Sequence, residues 1–249
     1  MRLDKYLAEA ECGTRSQLGK IIRSGRVSVN GEVVNKSDMH IDENADLICL
    51  DGAEIRLLGD RYFLLNKPAG ILSASRDSRK ETVVDLIPEH LRKDLFPVGR
   101  LDIDTTGLLL LTNDGKLSHD LLSPRHHVDK TYVAGITGTL DEEKISAFEN
   151  GLDIGDVKKN GSPDLTLPAK LRVLEDEKYA QDGLTMTEVS IHEGRFHQIK
   201  RMFEAIGCTV VTLERIAMGP LRLEESLARG EWRELSDQEI SELKNRNKE

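Results

Sequence analysis

The sequence of 249 residues lacks any apolar stretch near the ~20 residues that a membrane span needs. Its first residues, MRLDKYLAEAE, are amphipathic and include acidic side chains, unlike a signal or transit peptide. We therefore expect a cytoplasmic protein with no membrane partner. A hydrophobic content of 38% is enough to form buried cores, and usual domain sizes predict two domains in a chain of this length.

Cysteine is also scarce. Cys12, Cys49 and Cys208 are scattered and form no CxxC pair, which argues against a disulfide framework and against a thiolate zinc site. The adjacent His126 and His127 are weak evidence for a metal site, so we expect none. No Gly-rich phosphate-binding fingerprint follows a predicted strand, so neither an ATP nor a dinucleotide site is indicated.

Positive charge is in deficit over the whole chain, with a formal net charge of -9. A total of this sign argues mildly against a nucleic-acid partner, but the charges are unevenly distributed. Residues 1–36 carry seven basic and four acidic side chains, whereas the remaining residues carry 28 basic and 40 acidic ones. The basic character therefore belongs to the N-terminal segment.

That segment has the pattern helix, helix, hairpin. Apolar side chains recur at helical spacing from Leu3 to Ala10, and Thr14 can cap a second helix that runs through Ile22 and stops before Gly25. In RVSVNGEVV, alternating valines precede Asn30-Gly31, the dipeptide best suited to a tight type I′ hairpin.

Basic side chains of this segment can converge on one surface. Lys20 and Arg23 share a helix face and Arg26 leads into the hairpin, an arrangement that suits phosphates, although three basic residues alone more often form a solvated face. The whole stretch TRSQLGKIIRSGRVSVNGEVV resembles the S4-type RNA-binding domain, over roughly residues 1–59. This resemblance implies that Arg15, Lys20, Arg23 and Arg26 contact RNA.

A linker over residues 42–59 leads to a predicted domain boundary near Asp60. Strands are predicted beyond it at Tyr62–Leu65, Ile71–Ser73, Leu108–Thr112, Thr131–Ala134, Leu171–Leu174 and Thr185–Ile191. Because crossover helices do not separate these strands regularly, we predict an α+β fold with a largely antiparallel sheet.

The segment EGRFHQIKRMFEAIG predicts a helix with one apolar stripe. We interpret the stripe as core and place Gln198, Lys200 and Arg201 on the opposite side; its members are Phe196, Ile199, Met202, Phe203 and Ile206. Arg195 stands at the helix entry, directly after a strand, where its side chain can reach into a cleft. His197 is interpreted as a surface or packing histidine.

The segment GRLDIDTTGLLLLTNDG places two carboxylates just before the most apolar run of the chain, residues 108–111. An aspartate at the edge of an apolar floor loses hydration, so it needs a cation or hydrogen bonds to stay charged, and Arg100 and Arg195 are candidate partners. Aspartates are also common in turns that bond their own backbone. We prefer this interpretation for Asp104 and reject it for Asp102.

GRLDIDTTGLLLLTNDG resembles the signature of the RsuA-type pseudouridine synthases. Further family segments follow in the same order around it: NKPAG at 66–70, SPRHHVDKTY at 123–132, EGRFHQIKRM at 193–202 and LRLEESLARGEWREL at 221–235. The resemblance covers nearly the whole chain. It implies a catalytic domain over 60–249, with a charged C-terminal tail and a mixed, mostly antiparallel sheet around a central cleft, and it implies no cofactor.

The resemblance implies that a uridine inside RNA is isomerised: the base is detached from its ribose, turned and rejoined through carbon five. Asp102 matches the essential carboxylate, which can stabilise, attack or help to deprotonate the sugar. A second carboxyl group of the glycosidase kind is not required, so Asp104 need not take part.

Other residues take roles from the same motifs. Tyr132 resembles the tyrosine that stacks on the target base and can accept the carbon-five proton, although alone it could simply fill a strand position. Arg195 resembles the basic partner of the aspartate and can occupy the space of the flipped nucleotide. Lys67, Arg100 and Lys200 are implied to bind the RNA substrate.

Phe196-His197 resembles the small-subunit enzymes of the family, whereas relatives that act on large-subunit rRNA more often have Asn-Arg there. We therefore expect the chain to act on 16S rRNA or on a partly assembled small ribosomal subunit. We also expect a monomer. The alternatives are a large-subunit rRNA synthase and a non-catalytic RNA-binding assembly factor, and a nucleoside hydrolase has the least support.

Overall fold

The computed structural model describes residues 1–10, 12–43, 45–55, 59–123 and 128–245. The chain divides into two compact units, Met1–Asp60 and Arg61–Glu249. His126 and His127, the adjacent histidines weighed as metal ligands, lie outside the described residues. Within the described ranges no helix is both long and apolar enough to cross a membrane. Cys12, Cys49 and Cys208 are free thiols.

The first unit begins with the predicted helix, helix and hairpin, but the prediction of a linker over residues 42–59 is wrong in part, because this segment contains two further strands of the same sheet. Its elements are α1 (Leu3–Glu9), α2 (Arg15–Arg23), β1 (Val27–Val29), β2 (Glu32–Val34), β3 (Ile48–Leu50) and β4 (Ala53–Ile55). Thr14 and Gln17 form a reciprocal capping box at the start of α2. Asn30 and Gly31 have φ of 52° and 86°, as a type I′ turn requires, so the hairpin prediction is confirmed. The four strands form an antiparallel sheet in the order β2-β1-β3-β4.

The second unit is built on one nine-stranded sheet. Its strands are β5 (Tyr62–Lys67), β6 (Phe96–Pro97), β7 (Thr106–Thr112), β8 (Lys130–Thr137), β9 (Lys170–Val173), β10 (Thr185–Ile191), β11 (Thr209–Met218), β12 (Leu221–Arg222) and β13 (Trp232–Glu234). The main path is β13-β5-β7-β11-β8-β10-β9, with β12 beside β11 and β6 beside β7. The pair β7–β11 is parallel and the other pairs are antiparallel, which confirms the α+β class with a mixed, mostly antiparallel sheet.

Among the residues that the structure describes, four α-helices and two short 3-10 helices accompany this sheet. They are α3 (Gly115–Leu122), α4 (Glu142–Asn150), α5 (Gln198–Ala205), α6 (Asp237–Asn245) and the 3-10 turns Glu89–Leu91 and Glu177–Tyr179. The side chains of Asp114 and Asp141 cap α3 and α4 by accepting a hydrogen bond from a backbone N–H of the first turn.

The central strand β7 is buried on both faces. Leu108 and Leu110 pack into the core on one face of the sheet, and Leu109 and Leu111 pack into the core on the other. All four leucines are fully buried, and burying each contributes about 1.5–3 kcal/mol before the entropic cost of folding. The run therefore fixes the start of β7, and with it the loop that carries Asp102.

The predicted strand at 71–73 is wrong. The structure has a single bridge there, between Leu72 and Thr82. Ser73 instead bonds to the backbone of Leu101: its hydroxyl donates to the carbonyl at 2.8 Å and accepts from the N–H at 3.1 Å. Side-chain bonds to a neighbouring loop thus take the place of a strand ladder.

Candidate active site

A cleft of about 460 Å³, which includes space open to solvent, lies beside the loop that precedes β7. Residues from β8, β10, β11 and α5 complete its walls. Five of the ten site residues named from the sequence line this cleft, namely Arg100, Asp102, Tyr132, Arg195 and Lys200. His197, which the sequence did not place in the site, also lines it.

Lys67 lies beneath the Asp102 loop and is completely buried. Its ammonium donates to the backbone carbonyls of Pro68 at 3.0 Å, Ile103 at 3.3 Å and Thr105 at 2.9 Å. The expectation that Lys67 contacts RNA is therefore wrong, because a side chain with no exposed surface holds the loop in shape and cannot reach a ligand.

Burial has a large effect on this ammonium. Loss of hydration lowers the pKa of Lys67 from its usual 10.5 to about 8, against the opposing charges of Asp104 and Asp102. The three carbonyl oxygens compensate part of the lost hydration. The loop and the lysine thus depend on each other.

The basic side chains closest to Asp102 come from the start of α5. Lys200 Nζ lies 3.3 Å from Asp102 Oδ2, and His197 Nε2 lies 3.5 Å from Asp102 Oδ1. Neither Arg100 nor Arg195, the partners considered from sequence, forms an ion pair with Asp102 among the described residues. His197 directly precedes α5 and Lys200 lies in its first turn, so the start of this helix brings both side chains to Asp102.

Asp104 shares the same lysine. Lys200 Nζ lies 2.6 Å and 2.8 Å from its two carboxylate oxygens. This hydrogen bond is the main reason that the pKa of Asp104 is lowered, and its own backbone N–H adds to the effect. The turn interpretation of Asp104 was therefore incomplete. Burial alone would lower the pKa of Lys200, but the two carboxylates outweigh it and raise that pKa.

Arg195 forms its hydrogen bonds in a network that does not include Asp102. Its guanidinium donates to Glu193 at 3.0 Å, to the Asp164 carbonyl at 2.7 Å and to the Leu165 carbonyl at 2.8 Å. A further contact joins it to Asp156 at 3.3 Å. The expectation that Arg195 is the basic partner of Asp102 is wrong, because these acceptors occupy its donors.

Arg201 joins Arg195 in this network. Its Nη2 lies 2.6 Å from Asp156, and its Nε donates to the Ile154 carbonyl at 3.0 Å. The pKa of Asp156 is lowered mainly by the hydrogen bond from Arg201, and the hydrogen bond from Arg195 lowers it further. The segment around residues 154–165 is thereby tied to the entry of α5.

Tyr132 forms part of the cleft wall with its side chain anchored in the sheet. The residue is 7% exposed and belongs to the core cluster beneath the cleft. On β8 it is paired with Val189 of β10 and Arg215 of β11. Arg100, by contrast, is exposed where it lines the cleft.

Strand β7 approaches its parallel neighbour β11 closely at Gly107. Gly107 lies opposite Arg215 in the parallel pair, with a φ of 98°, and a Cβ there would come within 2.3 Å of the Arg215 carbonyl oxygen. Arg215 is buried, and its Nε donates to the Leu108 carbonyl at 2.7 Å. Only glycine fits this approach, a requirement that the sequence analysis missed.

The interpretation of the α5 stripe needs two corrections. Ile199, Met202 and Phe203 are buried as expected, but Phe196 is 75% exposed. The helix begins at Gln198, so Phe196 precedes it and does not share its periodicity. Gln198, expected on the polar side, is buried because its amide donates to Glu193 at 2.8 Å.

Arg15, Lys20, Arg23 and Arg26 are exposed on the first unit. Arg26 forms a two-pronged ion pair with Asp51, which raises the pKa of Arg26 and lowers that of Asp51. Within the described part of this unit, no ion pair joins Lys20 or Arg23 to an acidic side chain. Throughout the described ranges, no cluster of three or more His, Cys, Asp or Glu side chains could hold a metal ion.

Comparison with known proteins gives a consistent result. The family model for RNA pseudouridylate synthase matches residues 61–205, and the model for the S4 domain matches residues 1–47. An "Uncharacterized RNA pseudouridine synthase YtzG" of Bacillus subtilis (strain 168) is 41% identical over 96% of this chain and 97% of its own length. "Ribosomal small subunit pseudouridine synthase A" of Escherichia coli (strain K12) is 38% identical over 98% of this chain and 100% of its own length.

A solved structure has the same fold over the same extent. It is described as "Crystal structure of pseudouridylate synthase", is 38% identical and superposes with a TM-score of 0.65 over 98% of this chain and 99% of that one. The chain therefore belongs to the RNA pseudouridylate synthase family and carries an S4 domain at its N-terminus.

Replacement of Lys67 by Met tests the buried ammonium. We expect the variant to be about 1–3 kcal/mol less stable at pH 7, because three buried carbonyls lose their donor. The folded protein releases the Lys67 proton near pH 8 and the unfolded chain releases it near 10.5. Across that window the unfolded chain binds more protons, so the free energy of unfolding should rise with pH relative to Lys67→Met. Urea unfolding from pH 7 to 10.5 measures the difference, and a flat difference would contradict this role.

Proposed function

We propose that this chain isomerises a uridine of small-subunit ribosomal RNA to pseudouridine, with Asp102 as the essential carboxylate. The observation that carries the proposal is the position of Asp102 beside Lys200 in the cleft that Tyr132 also lines. The relatives named ribosomal small subunit pseudouridine synthase A support the choice of substrate.

The chemistry explains why a carboxylate is needed. Breaking the bond between base and ribose leaves positive charge on the sugar, which a nearby carboxylate can stabilise by charge, trap by attack or relieve by removing a proton. The rigid support of the loop by Lys67 and Ser73 favours any of these roles, because a carboxylate fixed before the reaction needs little reorganisation.

We assign the role of basic partner to Lys200, in place of Arg195. Its ammonium balances the charges of Asp102 and Asp104, which would otherwise repel each other at the cleft. Tyr132 is proposed to stack on the uracil and to accept its carbon-five proton. Arg100, exposed two residues before Asp102, is proposed to contact the RNA at the edge of the cleft.

The partner is proposed to be 16S rRNA or a partly assembled small subunit. Lys20 and Arg23, with Arg15, supply positive charge in the S4 domain, whereas the rest of the chain beyond residue 36 is acidic. We propose that the chain acts as a monomer. The proposed substrate also sets the proposed location, which is the cytoplasm, where ribosomes assemble.

The substrate is tested with ribosomal RNA from cells with and without this gene. Pseudouridine is located by carbodiimide labelling and reverse-transcription stops, and we expect one small-subunit uridine to lose its mark. Purified protein should restore it on 16S rRNA or on partly assembled small subunits, with release of tritium from carbon five. Loss of a large-subunit mark would overturn the substrate, and no lost mark with no tritium release would favour a binding factor.

Asp102→Asn tests the essential carboxylate, with Asp104→Asn as the matched control. A neutral amide cannot stabilise or deprotonate the sugar in the same way, so we expect tritium release to fall at least about a hundredfold for Asp102→Asn. Asp104→Asn should lose less than about tenfold, because its carboxylate is 66% exposed and is not required by the chemistry. Equal losses in the two variants would contradict the assignment, provided that circular dichroism shows both to be folded.

The S4 surface is tested by a double change of Lys20 and Arg23 to Gln. If these side chains contact phosphates, RNA binding should weaken and the slope of log affinity against log salt should decrease by about 1 to 2. Arg26→Gln is the control, and its effect should be smaller because Asp51 already balances Arg26. Filter binding over a salt series measures both slopes, and an unchanged slope in the double variant would count against this surface.

A further inference from the structure

Phe196 is an exposed aromatic side chain next to the cleft. It is 75% exposed, the highest value for a large hydrophobic residue among those described, whereas Phe63, Phe148 and Phe203 are fully buried. Its ring stacks on the imidazole of His197, with centroids 3.8 Å apart and planes 19° from parallel. One face of this aromatic pair is thus exposed to solvent, and exposing apolar surface to water is unfavourable in free energy.

The backbone holds Phe196 in this position. His197 has a φ of 49°, in the left-handed region that non-glycine residues seldom occupy and that costs about 1–3 kcal/mol. Bonds on both sides maintain the turn: Arg195 N–H donates to the Gln198 side chain at 2.9 Å, and Arg201 Nη1 donates to the Phe196 carbonyl at 3.1 Å. The strained turn takes Phe196 out of the helix and away from the core.

The surroundings indicate what could cover the ring. His197, on which Phe196 stacks, reaches to 3.5 Å from Asp102, so the pair extends from the carboxylate outward. Lys200 and exposed Arg100 add positive charge along the same cleft. An open aromatic face beside cations matches an unpaired nucleobase with its phosphates, because bases stack on aromatic rings and phosphates bind Lys and Arg.

We propose that Phe196, supported by His197, is a stacking platform for a nucleobase that neighbours the target uridine. The proposal rests on the proposed function and specifies how the RNA is held beside Asp102. Stacking accepts every base, so Phe196 contributes affinity and position, and sequence is read elsewhere.

The test compares Phe196→Ala, Phe196→Leu and Phe196→Trp in the full chain. The probe is 16S rRNA transcribed with [5-³H]uridine, used naked and assembled with small-subunit proteins. Stacking on one base is worth about 1–3 kcal/mol, so the Ala variant should bind about 5- to 150-fold more weakly and show a raised KM. Leu is apolar but lacks a ring face and should resemble Ala, whereas Trp should bind at least as well as Phe.

Fluorescence of the indole introduced by Phe196→Trp provides a readout that does not depend on turnover. It should be quenched when the RNA binds, after subtraction of the signal of Trp232, which packs edge-on against Phe63 in the unaltered protein. Val173→Ala is the matched control, since it shortens an exposed apolar side chain on β9, outside the cleft.

The outcomes separate this proposal from the proposed function. Tritium release by the unaltered chain tests the function, whereas the difference between the Leu and Trp variants tests the platform. Full binding by Phe196→Ala overturns the platform. Full binding by Phe196→Leu, or an introduced indole that RNA does not quench, also overturns it and indicates apolar docking against a ribosomal protein.

Discussion

The buried ammonium of Lys67 is the interaction on which the cleft depends. A charge without water must be met by oxygen atoms, and the backbone carbonyls of Pro68, Ile103 and Thr105 meet it. Two of these carbonyls belong to the loop that carries Asp102. The conformation of that loop is therefore coupled to the end of β5, and the leucine run of β7 fixes its other end.

Two charge networks meet at the entry of α5 and perform separate tasks. Arg195 and Arg201 bind Asp156 and backbone carbonyls, which ties the helix entry to the preceding loops. Lys200 faces the other way and bridges Asp102 and Asp104. Lys200 and Arg201 thus serve different partners because successive positions on a helix point in directions about 100° apart, whereas Arg195 lies before the helix begins.

The uneven distribution of charge along the chain fits a protein that binds RNA. Residues 1–36 carry seven basic and four acidic side chains, whereas the rest of the chain carries 28 basic and 40 acidic ones, and Arg100 and Lys200 line the cleft of the second unit. Repulsion between an acidic surface and phosphates limits unspecific binding, so contact with RNA is restricted to places where cations gather.

The sequence by itself determined the fold class, the arrangement of the motifs in two parts of the chain, and most of the helices and strands. The hairpin follows from Asn30-Gly31 because few dipeptides adopt two successive positive φ values, and the apolar run of β7 follows from its composition. Local patterns of this kind depend on neighbours in the chain, so the sequence contains them directly. The family resemblance rests on motifs of the same local kind.

Tertiary structure decided the partners and the exposure of the site residues. The burial of Lys67, the pairing of Asp102 with Lys200, the separate network of Arg195 and the exposure of Phe196 each depend on distant segments or on where α5 begins. A long charged side chain can reach several acceptors, and its choice depends on the competition among them in three dimensions. That competition involves residues far apart in the chain, so neither spacing nor composition reveals it.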